Sequence, residues 1–206
     1  MEKLQLDFIF LSETFRPSPE NPTSQIEFRS RACFCTIGMT NANRRRGIQF
    51  RVRSHLEPLV THTLCFKDSH VEILSITIRG LLIIGVYAPD GKETEGTDVL
   101  LSILDKAVTT GYGTILVIGD PNGKACALGN PSRSRNKAGR VLDWWLTQTD
   151  CVFEVLPSPE PTYRKSGVAS FVDLILIHGL HPDSIRVTQH NSLPPPSRWS
   201  RNPCST

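Results

Sequence analysis

"LVIGDPNGKA", residues Leu116–Ala125, sets an aspartate and an asparagine where an apolar run stops. Thr114–Ile118 reads as a buried strand, and Gly119, Asp120, Pro121 and Asn122 end it. Turn residues of this kind can close any buried strand. The stretch gains chemical meaning only if polar groups on other strand ends point to the same place, and three other ends carry such groups. "FLSETF" puts Glu13 just after the apolar Leu6–Ser12. "VYAPDG" puts Tyr87 at the end of another run, with Pro89 fixing the turn. "SGVASFVDLILI" puts Ser170 at the start of a strand and Asp173 three residues inside it. A carboxylate in so apolar a run needs a partner, because burying it alone is expensive.

The rest of the chain reads as strands mixed with a few helices. "GIQFRVR" (Gly47–Arg53) alternates, with Ile48, Phe50 and Val52 on one face and Gln49, Arg51 and Arg53 on the other. "LVTHTLCF", "VEILSITI" and "LLIIGVY" follow, separated by "KDSH" and "RG", which suit hairpin turns. A helix is predicted over Thr97–Val108, with Leu100, Ile103, Leu104 and Ala107 as its buried stripe and Gly111 as its stop. A second is predicted from Asn136, a fair N-cap, to Gln148, burying Val141, Leu142, Trp145 and Leu146. "CVFEV", "FVDLILI" and "SIRVT" supply the last strands. This pattern predicts two packed sheets flanked by helices, in one domain over residues 1–193. Residues 194–206, rich in Pro, Ser and Arg, suit a disordered tail.

Composition bounds the function. The net charge is a modest +3, and no apolar run is long enough to span a membrane. No secretory leader follows Met1, and the six cysteines form no disulfide or zinc pattern, so reduced intracellular thiols are expected. The charge is clustered. Arg29–Arg53 holds seven arginines and no acid, and "PSRSRNKAGR" (Pro131–Arg140) holds three arginines and a lysine. Such stretches suit a polyanion partner, or equally a solvated face that keeps the chain soluble.

The order of these features resembles the endonuclease/exonuclease/phosphatase superfamily, the fold of deoxyribonuclease I and the apurinic endonucleases. Within it, the chain resembles the endonuclease domain of non-LTR retrotransposons. The glutamate motif matches Leu11-Ser12-Glu13-Thr14, the arginine-glycine strand matches "RRRGIQFRVR", and the YxP motif matches Tyr87-Ala88-Pro89. GDFN matches Gly119-Asp120-Pro121-Asn122, with proline in place of phenylalanine. N-x-x-G-x-x-L is carried by Asn136, Gly139 and Leu142, and the later Pro-Thr…Ser-x-Ile-Asp signature by Pro161-Thr162, Ser170 and Asp173, with Val172 in the isoleucine place.

The resemblance implies an α/β fold, a four-layer sandwich of two β-sheets flanked by helices, here expected to lack its first strand. It implies Mg²⁺-dependent hydrolysis of DNA phosphodiesters, with Mn²⁺ as a substitute. Glu13 would hold the metal, Asp120 would orient and deprotonate the water, and Asn122 would donate to the phosphate. Tyr87 would contact the phosphate through its hydroxyl, and Asp173 would pair with a histidine. Arg44, Arg45, Arg46, Arg133, Arg135 and Lys137 are the expected contacts to the backbone of duplex DNA. A former fusion to a reverse transcriptase and a nuclear setting follow from the same resemblance. Two departures predict impaired activity. The family's asparagine strand would lie before Met1, and Pro195-Pro196-Ser197-Arg198 stands where Ser-Asp-His is expected, with His190 on the wrong side of Leu193-Pro194. A non-catalytic nucleic-acid-binding remnant and a phosphatase of the same superfamily are the alternative readings.

Overall fold

The structure is a computed structural model and describes residues 7–12, 26–31, 34–39, 47–67, 70–148, 150–165 and 167–182. A four-stranded antiparallel sheet holds β1 (Phe8–Leu11), β2 (Ile26–Arg31), β3 (Phe34–Met39) and β4 (Gln49–Arg53), in the order β1-β4-β3-β2. β5 (Val60–Lys67), β6 (Glu72–Ile78) and β7 (Leu81–Tyr87) open a six-stranded sheet. Helix α1 (Glu93–Thr109) then carries the chain to β8 (Ile115–Asp120), which runs parallel to β7. Helix α2 (Lys137–Leu146) and the short β9 (Glu154–Val155) follow. β10 (Tyr163–Lys165) and β11 (Val168–Ser170) form a separate hairpin, and β12 (Leu174–His178) returns between β8 and β9.

The apolar runs of β6 and β7 are continuous because both faces of the six-stranded sheet are covered. Ile73, Leu82, Ile84, Val86, Ile115, Val117, Leu174 and Leu176 pack with Leu100, Leu104, Leu142 and Trp145 of the helices. Leu74, Ile76, Ile78, Ile83, Tyr87, Leu116 and Ile118 pack with Ile48, Phe50, Val52, Phe8 and Phe10 of the smaller sheet. The described residues therefore build three layers: helices, large sheet, small sheet. The Phe10 ring lies over Gly85 and stands 5.2 Å from that of Phe50, which fixes β1 across β7.

Several expectations change in detail. α1 starts a turn before Thr97, at Glu93; Lys92 gives it no side-chain cap, and Glu93 and Glu95 in the first turn are the start signal there. Leu101 is buried, while Ile103 is only half-buried. The predicted "CVFEV" strand shrinks to Glu154–Val155, and the strands β2, β3, β10 and β11 were not foreseen. Gln49 is buried along with Ile48 and Phe50, since β4 is flanked by β1 and β3. Ser170 ends β11 instead of opening the following strand, and Asp173 lies one residue ahead of β12 instead of three residues inside it. The Arg79-Gly80 hairpin is as expected, with both residues at positive φ. "SIRVT", His190 and the 194–206 tail lie outside the described residues. Among the described residues no helix is long and apolar enough to cross a membrane.

Candidate active site

Strand register lines up four polar side chains at one end of the large sheet. Glu72 pairs with Tyr87, and Tyr87 with Asp120. Leu174 pairs with Gly119, so Asp173 comes to the level of Asp120. Alternation decides their face. Glu72 shares parity with Leu74 and Ile76, Tyr87 with Ile83, and Asp120 with Leu116 and Ile118, all on the side facing the small sheet. The row therefore lies at the mouth of the space between the sheets. Tyr87 is 4% exposed and Glu72 is fully buried, its Oε2 accepting the Gly47 N–H at 3.0 Å. That bond ties the residue leading into β4 to the start of β6.

Beyond Asp120 the chain turns back on itself. The Asp120 Oδ1 accepts the Asn122 N–H at 2.9 Å, and the Asn122 Nδ2 donates to the Ala88 carbonyl at 2.8 Å. Asn122 is left-handed (φ 53°), a conformation that asparagine tolerates better than most residues. Ala88 in turn donates its N–H to the Asp120 carbonyl. The two motifs expected to share a site are thus bonded to each other. Pro121 between them is buried, past the last strand residue, where its missing N–H costs no ladder bond.

Asn136 holds this loop from the other side. Its Oδ1 accepts the N–H groups of Gly139 at 2.8 Å and Lys124 at 2.9 Å, while its Nδ2 donates to the Asn122 carbonyl at 2.8 Å. One side chain caps α2 and fixes Asn122–Lys124. Gly139 is what allows the approach, since a Cβ there would stand 1.9 Å from the Lys124 carbonyl oxygen. Leu142 anchors the same helix in the core.

Asp173 is held through its backbone. The Thr162 Oγ1 accepts the N–H groups of Val172 at 3.1 Å and Asp173 at 3.2 Å. Buried Asn130 brackets Phe171, donating to its carbonyl at 2.6 Å and accepting its N–H at 3.0 Å. Desolvation by its neighbours pushes the Asp173 carboxyl above the ordinary carboxylate range, and a hydrogen bond from Thr162 partly offsets this. The residue is nonetheless exposed overall, which limits the effect because solvent screens a group it reaches.

Of the expected site residues, Tyr87, Asp120, Asn122 and Asp173 are thus brought to one end of one sheet. Glu13, Arg44, Arg45 and Arg46 lie outside the described residues. Arg133 and Lys137 are exposed at the start of α2. Arg135 is turned inward to Asp143, 3.3 Å away, whose carboxylate also accepts the Cys126 and Ala127 N–H groups. Glu72, Asn130 and the loop-holding role of Asn136 went unread. Glu72 had a signal, a lone acid heading an apolar strand; Asn130, in an ordinary Gly-Asn-Pro turn, had none. Asp120 and Asp173 offer the hard oxygen donors that suit Mg²⁺, which needs only one or two carboxylates. No group of three metal-binding side chains forms among the described residues.

Known proteins agree with this architecture. The cytolethal distending toxin of Haemophilus ducreyi superposes with a TM-score of 0.52 at 14% identity, over 84% of this chain and 70% of that one. A truncated Caenorhabditis elegans TDP2 gives 0.51 at 10% identity, over 87% and 73%. The endonuclease domain of TRAS1, a telomere-specific non-LTR retrotransposon, gives 0.46 at 16% identity, over 68% and 63%. No curated protein matches the sequence. The family model described as endonuclease-reverse transcriptase matches residues 81–193, more than half of the chain. The chain belongs to that family, within the endonuclease/exonuclease/phosphatase superfamily.

Proposed function

We propose that the chain is the DNA-nicking part of a retroelement protein, a metal-dependent endonuclease acting on phosphodiesters. The alignment of Tyr87, Asp120 and Asp173 in one register row, with Asn122 bonded to the Asp120 carboxylate, is the observation that carries this reading. Hydrolysis of a phosphodiester needs a water aimed at phosphorus, relief of charge on the phosphoryl oxygens and a departing oxygen. Asp120 takes the proton of that water. The Asn122 N–H holds one of its oxygens and so fixes the orientation of the carboxylate. One Nδ2 hydrogen of Asn122 is committed to Ala88, so the second donates to the phosphate. Tyr87, buried in the core between the sheets, offers the phosphate no more than its hydroxyl.

Glu13 is the residue that would hold Mg²⁺, together with oxygen donors of the row. Bound there, the ion would act as a Lewis acid on the phosphate. The remaining contribution is positioning, which the bonds from Ala88, Asn136 and Thr162 supply. Pro195-Pro196-Ser197 stands where the superfamily has a phosphate-facing histidine. Losing one preorganised donor of that kind costs about 10²–10³ in rate, so this copy is a slow enzyme. Arg44–Arg46, Arg133 and Lys137 would meet the DNA backbone, and a nuclear setting and a reverse transcriptase partner suit such a nuclease. The test offers supercoiled plasmid, a phosphomonoester and a sphingolipid to the chain with Mg²⁺. Slow nicking of plasmid alone is expected; turnover of either other substrate, with plasmid untouched, would replace this reading with the phosphatase one.

A further inference from the structure

α2 carries two adjacent tryptophans with opposite fates. Trp145 is 8% exposed, packs in the core and donates its Nε1–H to Asp105 at 3.1 Å. Trp144 is 64% exposed, the most exposed large apolar residue among those described. Helical spacing puts Lys137, Arg140 and Trp144 on one face, spanning about 10 Å along the axis. Lys137 and Arg140 are exposed, as is Arg133 on the turn before the helix. The Arg140 guanidinium spends one donor on the Arg135 carbonyl at 3.4 Å. The single acid of α2, Asp143, is turned to the amides of Cys126 and Ala127, and Asp150 lies beyond the helix end. An outward ring in line with cations, with no acid of its own helix among them, is unlike a merely solubilising face, which would carry no tryptophan.

We infer that the outer face of α2 is a binding platform for an unpaired DNA strand. Cations that follow a phosphate backbone and an aromatic ring that stacks on a base are the two elements of single-strand binding. A duplex offers the phosphates but keeps its base faces stacked, so an exposed indole gains only from a strand that is open. The face also begins at the site, because the Asn136 cap of α2 holds Asn122 and Lys124. An end freed by nicking would reach Lys137 first and Trp144 last. This placement rests on the nuclease reading, but the binding itself does not.

The test is therefore a binding measurement without metal, on the full chain, using an oligothymidylate and a duplex of equal length. In a Trp199→Phe background, the single strand should quench the exposed indole. Trp144→Ala should weaken single-strand binding about five- to a hundredfold while duplex affinity stays within about twofold. Lys137→Ala with Arg140→Ala should flatten the single-strand salt slope by about 0.7 per lysine or arginine removed. Urea midpoints equal to that of the parent chain show that the variants fold. Single-strand affinity within about twofold of the parent for Trp144→Ala, or equal losses on both DNAs, would overturn the inference. An inactive chain that still passes this test would fail only the nuclease reading.

Discussion

Replacing Asn136 by alanine removes three hydrogen bonds with one change. The Oδ1 loses the N–H groups of Gly139 and Lys124, and the Asn122 carbonyl loses its Nδ2 donor. The Gly139 amide, at a helix start, can turn to water. Lys124 and Asn122 have less access, because the loop lies close enough to α2 to exclude a Cβ at Gly139. At about 0.5–1.5 kcal/mol for each net bond, and about 1 for a lost cap, the variant should lose about 2–4 kcal/mol. With a slope near 2 kcal/mol per molar, the urea midpoint should fall by about 1–2 M. Asn136→Asp should lose less, since it keeps an acceptor for both amides and places a negative charge at a helix N-terminus. Hydrogen exchange should show the Asn122 and Lys124 amides opening faster in the alanine variant than in the parent. If alanine costs under about 0.5 kcal/mol and those amides stay protected, Asn136 does not hold the loop.

Gly119→Ala should fail badly. Gly119 has φ 143°, and a Cβ would stand 2.0 Å from the Val86 carbonyl oxygen, so β7 and β8 must part; a loss of about 3 kcal/mol or more is expected in urea unfolding. Glu72→Ala leaves the Gly47 amide unpaired beside a cavity and should cost about 1–3 kcal/mol, whereas Glu72→Gln keeps an acceptor and should cost less; equal losses would deny that bond any importance. Asp173 gives a pH test. Burial raises its carboxyl above the ordinary range, so the folded state favours the protonated form. That advantage is full below the unfolded value and is lost as pH rises through the folded one. Asp173→Asn should therefore gain Tm relative to the parent between acid and neutral pH; a relative loss over that range would reverse the sign of the argument.

The row of Tyr87, Asp120 and Asp173 was legible because each residue closes or adjoins an apolar run, and alternation along a strand sets its face. The fold class was legible because strands in hairpins mixed with a few helices imply two packed sheets flanked by helices. What escaped was non-local. Asn136 reads as a helix cap, yet two of its three bonds reach the loop after β8. Asn130 grips Phe171 across 41 residues, and no local pattern announces that. β2 and β3 escaped because the one alternating run, Ile26-Glu27-Phe28-Arg29, is short, and pairing of β2 with β3 and of β3 with β4 supplies what local preference lacks. Asp173 was read as deep inside a strand because "FVDLILI" is apolar throughout; Thr162 and Asn130 hold Phe171–Asp173 by side-chain bonds just ahead of the ladder.

The most direct measurement is plasmid nicking under enzyme excess with Mg²⁺, in a chain carrying Pro195→Ser, Pro196→Asp and Ser197→His, with and without Asp120→Asn. The triple substitution should raise the slow nicking of the parent by about 10²-fold, the value of one restored donor. Asp120→Asn should then abolish it while the urea midpoint holds. Nicking that survives Asp120→Asn unchanged would show that the row at the end of the large sheet is not where the phosphodiester is cut.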